Sequence, residues 1–177
     1  GYPLLWHCPE ERGVIDFNEF HLPRRLIQSL RKTSFRITFN RAFREVITAC
    51  AEQPRQGQVG TWILPGFIPA YTRFHRAGFA HSVECWLEEK LVGGLYGVYV
   101  GGVFSGESMF HLESNASKAC LVAIVEKLQS LGVKWMDIQM VTPVTRQFGG
   151  KYIPRIEFLD RVDAAHKASV LEKISIA

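Results

Sequence analysis

The chain has 177 residues, 47% of them apolar, which is enough to bury one sizeable core; we expect a single domain over residues 1–177, or at most a lobed pair. The four cysteines do not show the close pairing of a zinc site or a secreted disulfide framework, which argues against a metal and favours a reducing, cytoplasmic compartment (Cys8, Cys50, Cys85, Cys120). The sequence has no signal-peptide pattern and no apolar run near the roughly 20 residues that cross a bilayer, so we expect no membrane partner.

The first predicted elements are a helix, a strand and a second helix. Apolar residues at helical spacing predict a helix over 22–32, with Pro23 in its first turn. Alternating apolar and polar residues predict a half-buried strand over 35–39. Asn40 is a favourable N-cap residue for a helix that continues to about Ala51.

The positive charge of the chain is concentrated in this region. The net charge is only +4, but one window holds seven basic residues with Glu45 as almost its only acid: Arg24, Arg25, Arg31, Lys32, Arg36, Arg41 and Arg44. A basic face attracts phosphates by electrostatic steering and counterion release. The same pattern fits a helix face exposed to solvent, and charge alone favours neither interpretation.

The middle of the chain is predicted to form a β-meander. Residues 52–60 lack periodicity and indicate a surface loop, and helical spacing returns over 66–77 before Gly78 ends it. Three apolar, β-rich runs then follow over 81–110, interrupted by two turn sequences. These three strands should form the centre of the sheet.

A strand–helix–strand crossover is predicted next. A long helix should run from about Asn115 to Leu131, with Gly132 after it, and lead to a strand over 133–141. The last fifteen residues are typical of a frayed or peripheral helix. The fold class is therefore α/β (α+β), with a mixed, mostly antiparallel central sheet flanked by helices.

Two polar residues interrupt the predicted strand over 133–141. Asp137 and Gln139 are two positions apart and share one face of an otherwise apolar strand. Burying a carboxylate without partners costs several kcal/mol. The pair is therefore either a hydrogen-bonded structural node or part of a functional site, and spacing alone slightly favours the node.

Glu107 interrupts the last strand of the meander. Strand alternation places Ser105, Glu107 and Met109 on one face and Phe104, Ser108 and Phe110 on the other. A charged residue between aromatic residues on a core strand indicates function more often than surface decoration, although a surface glutamate at a strand end is the alternative. Either Ser114 or Asn115 is expected to act as the N-cap of the helix that follows.

Seven short motifs occur in an order that resembles the leucyl/phenylalanyl-tRNA–protein transferase family. They cover most of residues 4–160: Gly60-Thr61-Trp62-Ile63, Ala80-His81-Ser82-Val83-Glu84, Leu91-Val92-Gly93-Gly94-Leu95-Tyr96-Gly97, Gly106-Glu107-Ser108-Met109-Phe110, Asn115-Ala116-Ser117-Lys118, Asp137-Ile138-Gln139 and Ile153-Pro154-Arg155. Any one of these motifs would be weak evidence, but the ordered series is specific.

The resemblance implies an acetyltransferase-like (GNAT) fold that takes the aminoacylated 3′ end of a tRNA in place of acetyl-CoA. The sequence independently disfavours coenzyme A, because no glycine-rich phosphate loop precedes the long helix. By the resemblance, the donor's side chain enters an apolar pocket formed by Leu95, Phe104, Met109, Leu121, Ile124, Leu128 and Met136. Taken alone, each of these residues is more typical of ordinary core packing than of a pocket.

The resemblance also assigns roles to polar and aromatic residues. Trp62 and Tyr71 should contact the terminal adenosine or its ester, while Glu107, Asp137 and Gln139 form the catalytic group. We expect Asp137 to polarise Gln139, which orients the incoming amine, and Glu107 to position the aminoacyl end. The basic helix residues Arg24, Arg25, Arg31 and Lys32 should contact the tRNA backbone.

The implied reaction moves leucine or phenylalanine to proteins that begin with Arg or Lys and marks them for degradation, without a cofactor. The family's aromatic-rich N-terminal segment has no counterpart in this sequence, so the chain is either a fragment or a divergent member. Two alternatives remain: an N-acyltransferase of the same fold with another donor, and a non-catalytic RNA-binding protein.

Overall fold

A computed structural model describes residues 7–54, 60–169 and 176 of the chain. Within these ranges, no helix is both long and apolar enough to span a membrane. The elements follow each other in the order β1 Glu11–Asp16, α1 Arg24–Leu30, β2 Phe35–Phe39, α2 Phe43–Glu52, α3 Phe67–Arg76, β3 Ala80–Leu87, β4 Lys90–Val100, β5 Val103–His111, α4 Ala116–Ser130, β6 Trp135–Gln139, α5 Pro143–Arg146, β7 Lys151–Pro154 and α6 Arg155–Ala168.

The strands form one mixed sheet in the order β2-β3-β4-β5-β6-β1-β7. Neighbouring strands are antiparallel except for β5 and β6, which are parallel and are connected through α4. This parallel pair is the crossover that the sequence predicts. The predicted fold class, a mostly antiparallel mixed sheet flanked by helices, is confirmed.

Each face of the sheet carries its own apolar core. On one face α1 and α4 cover a large cluster that includes Ile15, Leu26, Leu121, Ile124 and Met136. On the other face α2 and α3 cover a smaller cluster that includes Phe43, Ile47, Ile63, Tyr96 and Phe110. The α4 helix approaches β4 so closely that a Cβ atom on Gly93 would lie 2.5 Å from the Ala116 Cβ atom. Glycine at this position lets the start of α4 rest on the sheet.

The long elements agree with the sequence predictions, apart from their ends. The predicted helices over 66–77 and 115–131 correspond to α3 and α4, and the meander corresponds to β3, β4 and β5. The helix predicted over 22–32 is shorter, because the extended backbone of Pro23 (ψ 133°) precedes its first turn. The strand predicted over 133–141 is also shorter and ends at Gln139. Of the predicted loop over 52–60, residues 55–59 lie outside the described residues.

The prediction that Asn40 caps the second helix is wrong. The N-cap of α2 is Ala42, and Asn40 lies before it in the left-handed region with φ 59°. The Asn40 side chain instead accepts a hydrogen bond from the Ser82 N–H at 3.0 Å and donates to the Ile176 carbonyl at 2.5 Å. Asn40 therefore links β3 to the end of the chain. Asn115 does occupy the N-cap position of α4, but its side chain donates to Ser29 Oγ at 3.0 Å and does not cap the helix.

Three short elements are not predicted by the sequence. They are β1, β7 and the one-turn helix α5, whose Thr142 and Thr145 form a capping box. The C-terminal helix α6 begins earlier than the last fifteen residues predicted to be helical, directly after β7, and residues 170–175 and 177 of that predicted range lie outside the described residues. Because β1 inserts between β6 and β7, it brings residues near the start of the chain beside the crossover strand.

The predicted faces of β5 are wrong because the strand contains a β-bulge. Tyr96 of β4 pairs with Ser108, but the next residue, Gly97, pairs with Gly106, so Glu107 is an extra residue in β5. An extra residue shifts the side-chain alternation by one position. Phe104 therefore points into the α4-side core and Phe110 into the α2-side core, and not to one face as predicted.

Candidate active site

The predicted polar residues meet where β5 and β6 run side by side. Asp137 of β6 pairs with Ser105 of β5, and its side chain is only 2% exposed. Met136 points into the α4-side core, so its neighbour Asp137 lies on the opposite face, which α6 partly covers. The buried carboxylate of Asp137 therefore requires several hydrogen-bond donors close by.

Four hydrogen bonds satisfy the Asp137 carboxylate. Arg12 of β1 donates from Nε to Oδ1 at 2.9 Å and from Nη2 to Oδ2 at 2.8 Å. Ser105 Oγ donates to Oδ2 at 3.0 Å, and the backbone N–H of Gln139 donates to Oδ1 at 2.8 Å. The Arg12 guanidinium also lies over the Phe158 ring, 5.3 Å from its centroid. Asp137 is thus held by donors from β1, from β5 and from its own strand, β6.

Gln139 ends β6 in a left-handed conformation. Its φ is 61°, which costs a non-glycine residue about 1–3 kcal/mol. The bond from its N–H to Asp137 offsets part of this cost, and the Met140 N–H donates back to the Ile138 carbonyl at 2.6 Å. The tight turn directs the Gln139 side chain toward β5, where Nε2 donates to Glu107 Oε2 at 2.9 Å.

Glu107 occupies the bulge of β5 and is only partly buried. Burial raises its pKa from the ordinary value of 4.5, and the nearby Asp137 carboxylate raises it further. The Gln139 amide, the Arg12 guanidinium and the Tyr71 hydroxyl lower the pKa, but burial remains the largest cause. The net shift is upward, so Glu107 is a carboxylate that the protein incompletely stabilises.

The two predicted adenosine contacts lie on the same face as Glu107. Tyr71 of α3 lies beside Glu107 and packs edge-on against Tyr96, with 5.4 Å between the ring centroids; burial and the Glu107 carboxylate raise the pKa of Tyr71. Trp62 precedes α3, contacts Phe67 at 6.1 Å between ring centroids and is 42% exposed. The structure thus places Tyr71 beside Glu107 and leaves the Trp62 ring accessible at the start of α3.

The contacts of Gln139 differ from those expected from the sequence. The sequence prediction has Asp137 polarising the Gln139 side chain, but the bond from Gln139 to Asp137 comes from its backbone. The side-chain amide is instead oriented by Glu107. With Nε2 bound in this way, Oε1 is the acceptor end of the amide and can take a hydrogen bond from an N–H donor.

Arg12 and Ser105 are parts of this site that the sequence predictions miss. Strand alternation places Ser105 on the same face as Glu107 but assigns it no role. Arg12 lies 125 positions before Asp137 in the chain. The available signal is a basic residue directly before a short apolar run, Gly13-Val14-Ile15, in a segment too short for a firm strand prediction.

The seven predicted pocket residues belong to the core on the α4 side. Six are at most 4% exposed, namely Leu95, Phe104, Leu121, Ile124, Leu128 and Met136, and Met109 packs against the same cluster while partly buried. The predicted helix face formed by Leu121, Ile124 and Leu128 is confirmed. Close packing of this kind is what a core requires, and the burial values themselves are those of core residues.

The predicted basic patch lies on the opposite side of the sheet from the polar group. Arg24, Arg25, Arg31 and Lys32 are all exposed on α1 or just after it. The α1 helix buries Leu26 in the α4-side core, whereas Asp137 faces the other way. The structure therefore does not bring the patch and the polar group onto one face.

No metal-binding cluster of three His, Cys, Asp or Glu side chains is found among residues 7–54, 60–169 and 176. The loop from β5 to α4 consists of residues 112–115 and contains no glycine. It therefore lacks the glycine-rich sequence that commonly cradles a pyrophosphate.

Comparison with solved structures identifies the fold. The chain superposes on FemX with a TM-score of 0.61 at 10% identity, over 84% of this chain and 60% of that one. It also superposes on L-PGS from Bacillus licheniformis with a TM-score of 0.51 at 11% identity, over 77% of this chain and 48% of that one. At such low identity the similarity concerns the fold alone, which is that of the GNAT-like acyltransferases.

Comparison with known sequences identifies the family. The family model described as leucyl/phenylalanyl-tRNA protein transferase matches residues 14–163. A protein of that name from Nitratidesulfovibrio vulgaris (strain DP4) is 45% identical over 159 residues, which cover 90% of this chain and 68% of that protein. Another from Anaeromyxobacter sp. (strain K) is 47% identical over 163 residues, covering 92% and 70%. The chain therefore belongs to the leucyl/phenylalanyl-tRNA–protein transferase family.

Proposed function

We propose that this chain transfers an aminoacyl group from a tRNA to the N-terminal amine of a protein, with residues 1–177 acting as one catalytic domain. The observation that carries the proposal is the side-chain amide of Gln139, held at 2.9 Å by Glu107 at the end of a strained strand. Family membership supplies the class of reaction. The polar group supplies residues able to perform it.

The reaction requires little acid–base catalysis. An aminoacyl ester is already activated, and an α-amine with a pKa of about 7.7–8.0 is partly neutral near pH 7. The amine nitrogen attacks the ester carbonyl, the new C–N bond forms, the C–O bond to the ribose breaks, and one amine proton passes to the departing ribose oxygen. Holding the two reactants in attack geometry supplies roughly 7–11 kcal/mol of the barrier in favourable cases.

Each polar residue has a distinct part in this scheme. Gln139 Oε1 accepts a hydrogen bond from the incoming amine and orients its lone pair toward the ester. Glu107 fixes the amide through Nε2 and positions the aminoacyl end, and Asp137 holds the backbone of Gln139. Tyr71, which contacts Glu107, lies beside the adenosine end of the donor, with Trp62 next to it.

The donor and acceptor are proposed in more detail from the family name and the site. The donor carries leucine or phenylalanine, and its ester end lies on the face of the sheet that carries Glu107. The seven residues predicted to line its side-chain pocket pack in the core on the other face, so the donor side chain is not assigned to them. The acceptors begin with Arg or Lys, and their transfer products are marked for degradation in the cytoplasm. The exposed basic patch on α1 contacts the tRNA backbone away from its 3′ end.

The direct test is to incubate the chain with leucyl-tRNA and a peptide that begins with Arg, and to analyse the peptide by mass spectrometry. The expected product is the peptide extended by one leucine. A peptide beginning with acetylated Arg is the matched control, because it has no free α-amine and should remain unmodified. Binding of leucyl-tRNA without transfer would contradict the proposal and favour an RNA-binding protein. Acylation from acyl-CoA but not from leucyl-tRNA would favour a different donor.

A further inference from the structure

Arg12 is the strongest feature that the proposed mechanism leaves without a role. It belongs to β1, outside the motifs that mark the family in this sequence, yet it makes two parallel bonds to Asp137. Paired bonds from a guanidinium fix both the distance and the angle of a carboxylate, which a single bond does not. Arg12 therefore determines where the two Asp137 oxygens point.

The position of Asp137 determines the backbone at Gln139. The Gln139 N–H and Arg12 Nε both donate to Oδ1 of Asp137, at 2.8 and 2.9 Å. If that oxygen rotated away, the left-handed residue would lose the hydrogen bond that offsets its strain. The turn at Gln139 is thus coupled to Arg12 through one oxygen atom.

The backbone next to Arg12 is also shaped around this turn. A Cβ atom on Gly13 would lie 2.9 Å from the Met140 carbonyl carbon and 3.0 Å from its nitrogen, so only glycine lets β1 approach the turn this closely. The register between β1 and β6 shifts at this point, between Gly13 and Val14. Phe158 of α6 covers the guanidinium from the other side.

We propose that Arg12 is a positioning residue of the transfer reaction, which clamps Asp137 and so holds Gln139 in the turn that directs its amide at Glu107. This inference rests on the proposed function. In a purely structural role, the Arg12–Asp137 ion pair would stabilise the fold without a specific effect on turnover. In the proposed role, Arg12 affects turnover through one residue, Gln139. The two roles can be separated experimentally.

The first experiment compares Arg12→Lys with Arg161→Lys. Lysine keeps the charge but cannot form the paired bonds, so Arg12→Lys should lower kcat about tenfold or more while KM for leucyl-tRNA changes by less than about twofold. Arg161 is a matched control because it is similarly exposed, at 27% against 24%, and bonds Asp16 and Glu157 away from the site. Arg161→Lys should leave kcat within about twofold of the parent.

The second experiment repeats Arg12→Lys in a Gln139→Ala background. If Arg12 acts through Gln139, the substitution should lower the remaining kcat by less than about twofold there, because coupled residues are not additive. A further tenfold loss in that background would overturn the inference, since Arg12 would then act independently of Gln139. Ser105→Ala removes a neutral bond to the same carboxylate and serves as a milder second variant, expected to lower kcat about threefold.

The third experiment does not depend on activity. Hydrogen exchange of the Gln139 amide, followed by NMR, should accelerate about tenfold in Arg12→Lys and also in Ser105→Ala, while amides of β4 keep their protection. Unchanged exchange at Gln139 in both variants would overturn the inference even if kcat fell. If the parent chain transferred no leucine, the proposed function would fail, and the exchange result would still decide the role of Arg12.

Discussion

Two carboxyl groups of the central sheet, Glu84 and Glu107, have opposite surroundings. Glu84 of β3 is fully buried and accepts hydrogen bonds from Thr38 Oγ1 at 2.6 Å, Ser82 Oγ at 2.5 Å and the Ala42 N–H at 3.3 Å. Glu107 of β5 is only partly buried, accepts a hydrogen bond from the Gln139 side-chain amide at 2.9 Å, and has a pKa raised by burial. Protein hydrogen-bond donors surround the Glu84 carboxylate, whereas the Glu107 carboxylate has fewer donors and is incompletely stabilised.

The difference supports the proposal that Glu84 is a structural node and Glu107 a reactive group. The Glu84 carboxylate joins β2 and β3 to the start of α2, and its donors all come from the protein itself. Asp137 resembles Glu84 in this respect, because four donors close around it. Of the polar group, the parts that remain available to contact the substrate are therefore Glu107 and the side chain of Gln139. On this view Asp137 contributes to both stability and turnover.

Asp137→Ala should have the largest effect. It leaves the Arg12 guanidinium partly buried without its partner and removes the support of Gln139, so we expect a loss of about 3 kcal/mol in the free energy of unfolding. We also expect kcat to fall about 100-fold or more, with little change in the affinity for aminoacyl-tRNA. Urea unfolding, single-turnover transfer and filter binding measure these quantities. Unchanged turnover would remove Asp137 from the mechanism.

Tyr71→Phe should have an intermediate effect that depends on pH. The Tyr71 hydroxyl lowers the pKa of Glu107, so removing it should raise that pKa further above 4.5. If the carboxylate form is the active one, kcat falls as the pH falls toward this pKa, and in the variant the decline should begin at a higher pH. A pH–rate profile of kcat tests this, with Tyr99→Phe on the opposite face as the control. A profile that does not move would separate Tyr71 from Glu107.

The same pKa shift has a consequence for stability with a defined sign. Glu107 binds its proton more tightly in the folded chain than in the unfolded chain, so folding is favoured at low pH and loses this contribution as the pH rises above 4.5 toward the raised value. Tyr71→Phe should enlarge this loss. Urea unfolding at a series of pH values measures it.

Neutralising the basic patch should have the smallest effect on chemistry. Changing Arg24, Arg25, Arg31 and Lys32 to Gln should weaken tRNA binding and reduce its salt dependence by a slope of about 1 for each phosphate that is no longer neutralised. Turnover at saturating tRNA should be nearly unchanged, because these residues lie across the sheet from Glu107. Lys90→Gln with Lys167→Gln provides a control at exposed positions away from α1. If the salt dependence of tRNA binding stayed the same, the patch would be a solvent-exposed helix face that does not contact the tRNA.

The sequence predicts the parts of this molecule that depend on local pattern. Apolar periodicity and the turn residues define β3 to β5, α4 and the crossover to β6, and the polar alternation on β6 reveals Asp137 and Gln139. The missed features depend on contacts distant in the chain. β1 has six residues with charged ends, and Arg12 finds its partner only after folding brings β1 beside β6.

Two further differences between the prediction and the structure each arise at a single residue with an unusual backbone arrangement. The bulge at Glu107 reverses the faces of β5; Gly106 directly before it is a local sign of a bulge, but an interior glycine does not determine which residue is the extra one. Gln139 adopts a left-handed conformation in a segment whose apolar pattern continues to Val141, so the predicted strand is too long. Both deviations occur at the polar site, where local preference gives way to the contacts around Asp137.

The most direct test of the account compares Glu107→Gln with Glu84→Gln in the same two assays. Glu107→Gln should lower kcat about 100-fold while the free energy of unfolding changes by less than about 0.5 kcal/mol. Glu84→Gln places an amide donor among fixed donors, so it should lower the free energy of unfolding by about 2 kcal/mol while the kcat of the folded protein stays within about twofold. If Glu84→Gln lost turnover and Glu107→Gln lost only stability, the assignment of the reactive site to Glu107 would be contradicted.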